Sequence, residues 1–238
     1  MSSLAPTKRE RPTNTLPSRA GLGHWLKPML TSTVGNKVLV ACTGTLLTGF
    51  VLVHMIGNLQ IFLGAEKLNE YAKMLKSNGA ILWGARSTLL LLFVVHLTLA
   101  IRLKMRSQGA RPIGYIHQMT IQATWMSRNM VLTGLTILAF VVFHIAHFTL
   151  GWVQDGNHDV YNTVIAGFQN PFLSILYLIA QGLLFLHLVH GVSSVFQTLG
   201  LNTPRSQKAV KCLGCAVASI VLIGNCAIVF AVWFRIVT

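Results

Sequence analysis

Five long apolar runs limit what this chain can become. They cover roughly residues 38–63, 81–103, 129–153, 171–199 and 210–234. A bilayer core of ~30 Å is crossed by about 20 helical residues, so each run is long enough to span it. Only helices or closed barrels satisfy their backbone inside lipid, and unbroken apolar runs without the alternation of barrel strands select helices. Only 10% of the residues are charged, against about 25% in soluble domains. The sequence therefore specifies an all-α membrane protein, a bundle of five transmembrane helices.

A net charge of +14 raises the question of nucleic acid, and the placement of the charge answers it. Lys8, Arg9, Arg11, Arg19, Lys27 and Lys37 precede the first span. Arg102, Lys104, Arg106, Arg111 and Arg128 lie between spans two and three, and Arg205, Lys208 and Lys211 between spans four and five. Of 19 basic residues, 14 thus fall on one side of a five-span topology. The opposite loops carry Lys67, Lys73 and Lys76 with Glu66, Glu70, Asp155 and Asp159. The positive-inside rule puts the N-terminus in the cytoplasm and the C-terminus outside. Basic charge here sets topology and offers a docking face for a soluble partner; no nucleic-acid role is expected.

Residues 1–36 are rich in Pro, Thr, Ser and Arg without an apolar h-region, and read as a cytoplasmic tail rather than a signal peptide. Residues 37–238 form the membrane domain. Cys212 and Cys215 make a lone CxxC at the start of an apolar helix, without the two further ligands a zinc site needs. They read as helix-packing residues. No CxxCH occurs, which excludes covalently attached c-type haem.

The spans carry an internal echo. Thr43-Gly44 is followed, after nine residues, by His54; Thr133-Gly134 is followed, after nine residues, by His144. Span two holds His96, span three also holds His147, span four holds His187 and His190, and span five has none. Two hairpins related by an approximate parallel repeat, plus one extra helix, account for this pattern. Residues 64–80 have helical spacing and are expected along the outer surface. Residues 104–127 form a basic, polar inner connection, residues 154–170 a polar outer one, and Pro171 suits the first turn of span four.

Histidines in four consecutive spans need a reason, because ionisable groups in a membrane are costly. No span interior contains Asp or Glu to pair with them. Several neutral imidazoles in an apolar bundle point to a metal, and haem iron suits best because the macrocycle is itself large and apolar. Depth counting at ~1.5 Å per residue pairs His54 with His144 in the outer half. His96 lies eight residues before Lys104 and His190 twelve before Asn202, whereas His187 lies fifteen before it. The count thus pairs His96 with His190 in the inner half. Gly44 and Gly134 fall at the inner level, where a missing side chain admits a flat macrocycle. Thr43 and Thr133 are available to back-bond to the helix or to cap a haem edge.

His147 and His187 lie one turn from these ligands, with alternative-ligand, propionate-partner and packing roles all open. Ser32, Lys37, Arg102 and Arg128 near the inner boundary are candidates to pair with propionates, or to anchor at headgroups. His24, His117 and His158 lie outside the spans.

The segments "KVLVACTGTLLTGFVLVHMIGNLQIFLG", "NEYAKMLKSNG", "VVHLTLAIRLKMRS" and "HLVHGVSSVFQTLGLN" resemble the cytochrome b membrane-anchor subunit of succinate dehydrogenase/fumarate reductase. The likeness is to the five-helix, two-haem, single-polypeptide form and covers about residues 32–237. It implies haem-iron ligands at His54, His96, His144 and His190, with His96 and His190 on the proximal haem. It also implies two haem b groups, a quinone substrate (menaquinone), and flavoprotein and iron–sulphur subunits on the cytoplasmic face of a bacterial inner membrane. Succinate chemistry then belongs to a partner subunit. Some members of the family carry a glutamate two residues before the fourth ligand; this chain has Leu188.

The residues themselves agree with that division of labour. The chain has no nucleotide-binding glycine pattern, no iron–sulphur cysteine set and no large extramembrane domain. Outer residues Asn58, Glu66, Asn69, Glu70, Tyr71, Trp83 and Arg86 are candidates for a quinone site, or for an amphipathic loop with solvated charges. Rival readings are the dihaem anchor of a hydrogenase or formate dehydrogenase, and a transporter that uses histidine. A transporter more typically shows broken helices and intramembrane charge.

Overall fold

The computed structural model describes residues 29–110, 125–151 and 159–238. Most of the expected cytoplasmic tail and of the inner connection between spans two and three lie outside the described residues. Five helices within them are long and apolar enough to cross a membrane. They are α1 (Thr33–Asn58), α3 (Gly79–Gly109), α5 (Met130–Phe148), α7 (Pro171–Thr198) and α8 (Gln207–Trp233). Shorter helices α2 (Ala65–Ser77), α4 (Trp125–Arg128) and α6 (Val160–Gln169) lie in the connections, and a 3₁₀ turn, Leu59–Leu63, extends α1. No strand occurs among the described residues. The chain is a multi-pass helical membrane protein, as its apolar runs predict.

Side-chain caps start four of these helices. Ser32 accepts a hydrogen bond from the backbone N–H of Gly35, Asn78 from that of Ile81, and Asp159 from that of Asn162. Asn170 accepts from Phe172 and Leu173, with Pro171 opening α7. Each cap satisfies donors that are otherwise orphaned at a helix start. Gly64, at φ 97°, makes the reversal from the 3₁₀ turn into α2.

One connection differs from the sequence reading. Residues 160–169 form a helix where a polar connection is expected, and Tyr161, Ile165 and Phe168 lie on its buried side. Their spacing of three or four residues is that of an amphipathic helix, too short to stand out beside full spans. Helix α2 takes the surface position that its spacing predicts.

The spans pack as two hairpins, α1 with α3 and α5 with α7, and α8 lies against both α7 and α1. Small residues permit the closest approaches. A Cβ at Gly214 of α8 would stand 2.8 Å from the Val189 carbonyl oxygen of α7, the kind of contact that brings membrane helices together. Asn225 of α8 donates to the Gln181 side chain of α7 at 3.1 Å. Exposed apolar residues such as Val53, Leu90, Leu91, Ile179 and Ile223 cover the outside, where lipid is their natural solvent.

The two ends of the bundle are unlike. At one end, α2 and α6 close over the spans, with Ile61, Leu68, Ile165, Phe168 and Ile228 in a common apolar cluster. The backbone N–H of Tyr161 donates to Asn69 there, and the Tyr161 hydroxyl donates to the carbonyl of Thr238. At the other, basic end, Arg102 and Arg106 donate to the carbonyls of Leu30 and Thr31. The N-terminal approach to α1 is thereby tied to α3.

Candidate functional site

The basic half of the bundle holds one contact made twice. In the first hairpin, Nδ1 of His96 lies 3.1 Å from Oγ1 of Thr43 and 3.2 Å from the carbonyl oxygen of Val40. In the second, Nδ1 of His187 lies 3.2 Å from Oγ1 of Thr133. Both threonines are buried. The hydroxyl hydrogen of Thr43 goes to the Leu39 carbonyl at 2.7 Å, and that of Thr133 to the Met130 carbonyl at 3.0 Å. The Val40 carbonyl can only accept, so His96 carries its hydrogen on Nδ1 and a free lone pair on Nε2; with the Thr133 hydroxyl hydrogen on the Met130 carbonyl, His187 takes the same tautomer. This is the tautomer that metal-ligating histidines use, with the second nitrogen held by an oxygen.

The glycine after Thr43 makes room for the ring itself, whereas the one after Thr133 leaves ordinary contact distance. A Cβ at Gly44 would lie 3.0 Å from Cε1 of His96, and one at Gly134 would lie 3.5 Å from Cε1 of His187. Depth counting along the sequence favours His190 beside His96, whereas the Thr–His contact falls on His187. His190 makes no hydrogen bond among the described residues.

Toward the capped end, His54 of α1 and His144 of α5 meet edge to face with ring centroids 5.9 Å apart. Helices α1 and α5 are not among the closely apposed pairs of the bundle, so the contact is made by the side chains. The Asn58 side-chain nitrogen lies 3.2 Å from Nε2 of His54. Nδ1 of His144 lies 3.3 Å from the Tyr177 hydroxyl, which is also 3.0 Å from Nδ1 of His147. His147 is fully buried and its Nε2 has no hydrogen-bond partner among the described residues, an arrangement that costs about 1–3 kcal/mol. Sequence reasoning does not single out Tyr177. The one signal for it is that a tyrosine hydroxyl buried in a membrane helix needs a partner.

The remaining candidates stand apart from the histidines in their contacts. Ser32 caps α1, and Arg102 holds the Leu30 carbonyl. Lys37 and Arg128 are exposed. Among the outer candidates, Glu70 pairs with Lys67 and raises its pKa, and Tyr71 lies against Gly57. Arg86 stacks 5.1 Å above the Trp83 ring. His24, His117 and His158 fall outside the described residues.

The donor set itself suits haem. Among the described residues, no group of three or more His, Cys, Asp or Glu side chains forms a metal cage. Histidines that come in pairs fit a metal that brings its other ligands with it, as haem iron does.

Comparison with known proteins gives a family match. Residues 110–223 fit the family model described as succinate dehydrogenase/fumarate reductase transmembrane subunit. The match covers just under half of the chain and takes in the whole second hairpin. It supports membership of that family. No curated protein and no solved structure matches.

Proposed function

We propose that this chain is the cytochrome b membrane anchor of a succinate:quinone oxidoreductase complex. The observation that carries this reading is the repeated threonine–imidazole contact, Thr43 with His96 and Thr133 with His187. It prepares two rings of equivalent hairpins as ligands by the same hydrogen-bond device. The family match over the second hairpin supports the choice of complex.

In this reading, His96 and His187 hold one haem b and His54 and His144 hold the other. His187 takes the place that depth counting and the resemblance give to His190. Bound haem b supplies one-electron carriage between a soluble iron–sulphur subunit and a membrane quinone, menaquinone by the resemblance. The chain contributes orientation and an apolar surround. Thr43, Val40 and Thr133 fix the inner rings, and the bundle keeps water from them. The basic end docks the iron–sulphur and flavoprotein subunits on the cytoplasmic face of a bacterial inner membrane, with the C-terminus on the opposite side.

The test is a dithionite-reduced minus oxidised spectrum of the purified complex, with haem quantified per anchor chain. Two b haems per chain are expected. One haem removes one of the two pairs from the reading, and none overturns it.

A further inference from the structure

We propose that Tyr177 and His147 are positioning residues for His144, forming a hydrogen-bond chain that sets the properties of the haem nearer the capped end and leaves the other untouched. The proposal rests on the reading that His144 is an axial ligand of that haem.

Geometry and hydrogen counting lead to the same order. A His144 that gives its Nε2 lone pair to iron carries its hydrogen on Nδ1, and the Tyr177 oxygen at 3.3 Å must then accept it. The single hydroxyl hydrogen of Tyr177 is left for Nδ1 of His147, 3.0 Å away. His147 in turn keeps its own hydrogen on Nε2, the buried atom with no partner among the described residues. The order is therefore His144 to Tyr177 to His147. A hydroxyl that donates onward is a better acceptor, because hydrogen bonds in a chain polarise one another.

The two supporting residues are held in place. The Tyr177 ring is buried and meets Phe140 and Phe168 edge to face at 5.0 Å, with Phe143 and Phe148 at 6.0 and 5.7 Å. His147 lies 4.2 Å from the Phe148 ring and sits over Gly167 of α6, where a Cβ would stand 3.2 Å from Nε2. A wall of phenylalanines on one side and a glycine cradle on the other leave neither ring room to turn. His147 faces α6 and Tyr177, which makes it a support behind the ligand.

A partner that accepts from a ligand's second nitrogen raises the ligand's basicity and orients its ring. More basic imidazole favours ferric iron, so this chain of bonds lowers the potential of one haem. The inner rings donate the same kind of bond to threonine and backbone oxygens, which Tyr177 does not touch.

The experiment uses the full complex carrying Tyr177→Phe, which removes the hydroxyl and keeps the ring in its cage. Haem content, the midpoint potentials of both haems, and the electron paramagnetic resonance signals of the two ferric haems are measured. One potential is expected to rise and one low-spin signal to shift, with that haem held about tenfold less tightly, while the other haem is unchanged. Adding His147→Leu to Tyr177→Phe should move the potential no further, because His147 acts through the hydroxyl. Unchanged potentials and signals in Tyr177→Phe overturn the proposal. His144→Ala separates this failure from that of the ligand assignment. If it loses one haem while Tyr177→Phe is silent, only the positioning role falls; if it keeps both, the ligand assignment falls and takes this proposal with it.

Discussion

Oγ1 of Thr133 lies 3.2 Å from Nδ1 of His187, and the same contact joins Thr43 to His96 in the first hairpin. Histidine and threonine come from opposite helices of each hairpin, so the contact exists only once the hairpin has closed.

This relationship separates two histidines one turn apart. His187→Ala should lower the haem content of the complex from two per chain to one. His190→Ala should leave two. Haem assays on both variants decide the matter, and the reverse pattern would return the ligand role to His190.

The two glycines predict unequal outcomes. An alanine Cβ at position 44 would stand 3.0 Å from Cε1 of His96, against an ordinary 3.5 Å from His187 at position 134. Gly44→Ala should displace the His96 ring and broaden or diminish the inner haem signal. Gly134→Ala should be accepted, with a gain of up to about 1 kcal/mol from helix propensity. Absorption spectra and thermal stability in detergent check both.

The two threonines are unequal as well. Thr43→Val leaves His96 with the Val40 carbonyl as acceptor at 3.2 Å, whereas Thr133→Val removes the one acceptor found for Nδ1 of His187 among the described residues. Haem retention should fall about tenfold or more in Thr133→Val and less in Thr43→Val. Equal effects would mean that the hydroxyls serve only helix packing.

Gly214 tests the fold apart from the site. A Cβ there would meet the Ser193 Oγ at 2.7 Å and the Val189 carbonyl oxygen at 2.8 Å. Backbone cannot step aside cheaply, so Gly214→Ala should destabilise the α7–α8 contact by about 1–3 kcal/mol. A lower unfolding midpoint, with two haems still present in the folded fraction, is the expected result.

Five membrane-crossing helices are legible in the chain alone, because length and apolarity are properties of a single segment. The Thr-Gly repeat and the histidines are legible too, since both are local. The pairing of those histidines is not. Depth counting takes Lys104 and Asn202 as boundary marks, yet α3 runs on to Gly109 and α7 stops at Thr198. Measured from these helix ends, His96 lies thirteen residues in, His187 eleven and His190 eight, so the count depends on the boundary marks and the proposed pairing takes His187. A three-residue step along a helix also turns a side chain by roughly 60°, and only a neighbouring helix says which direction is useful. Tyr177 escapes a reading of the chain for the same reason. Its hydroxyl acquires a role only where α7 meets α5, and the rotation of one helix against another comes from packing between them, which no single segment encodes.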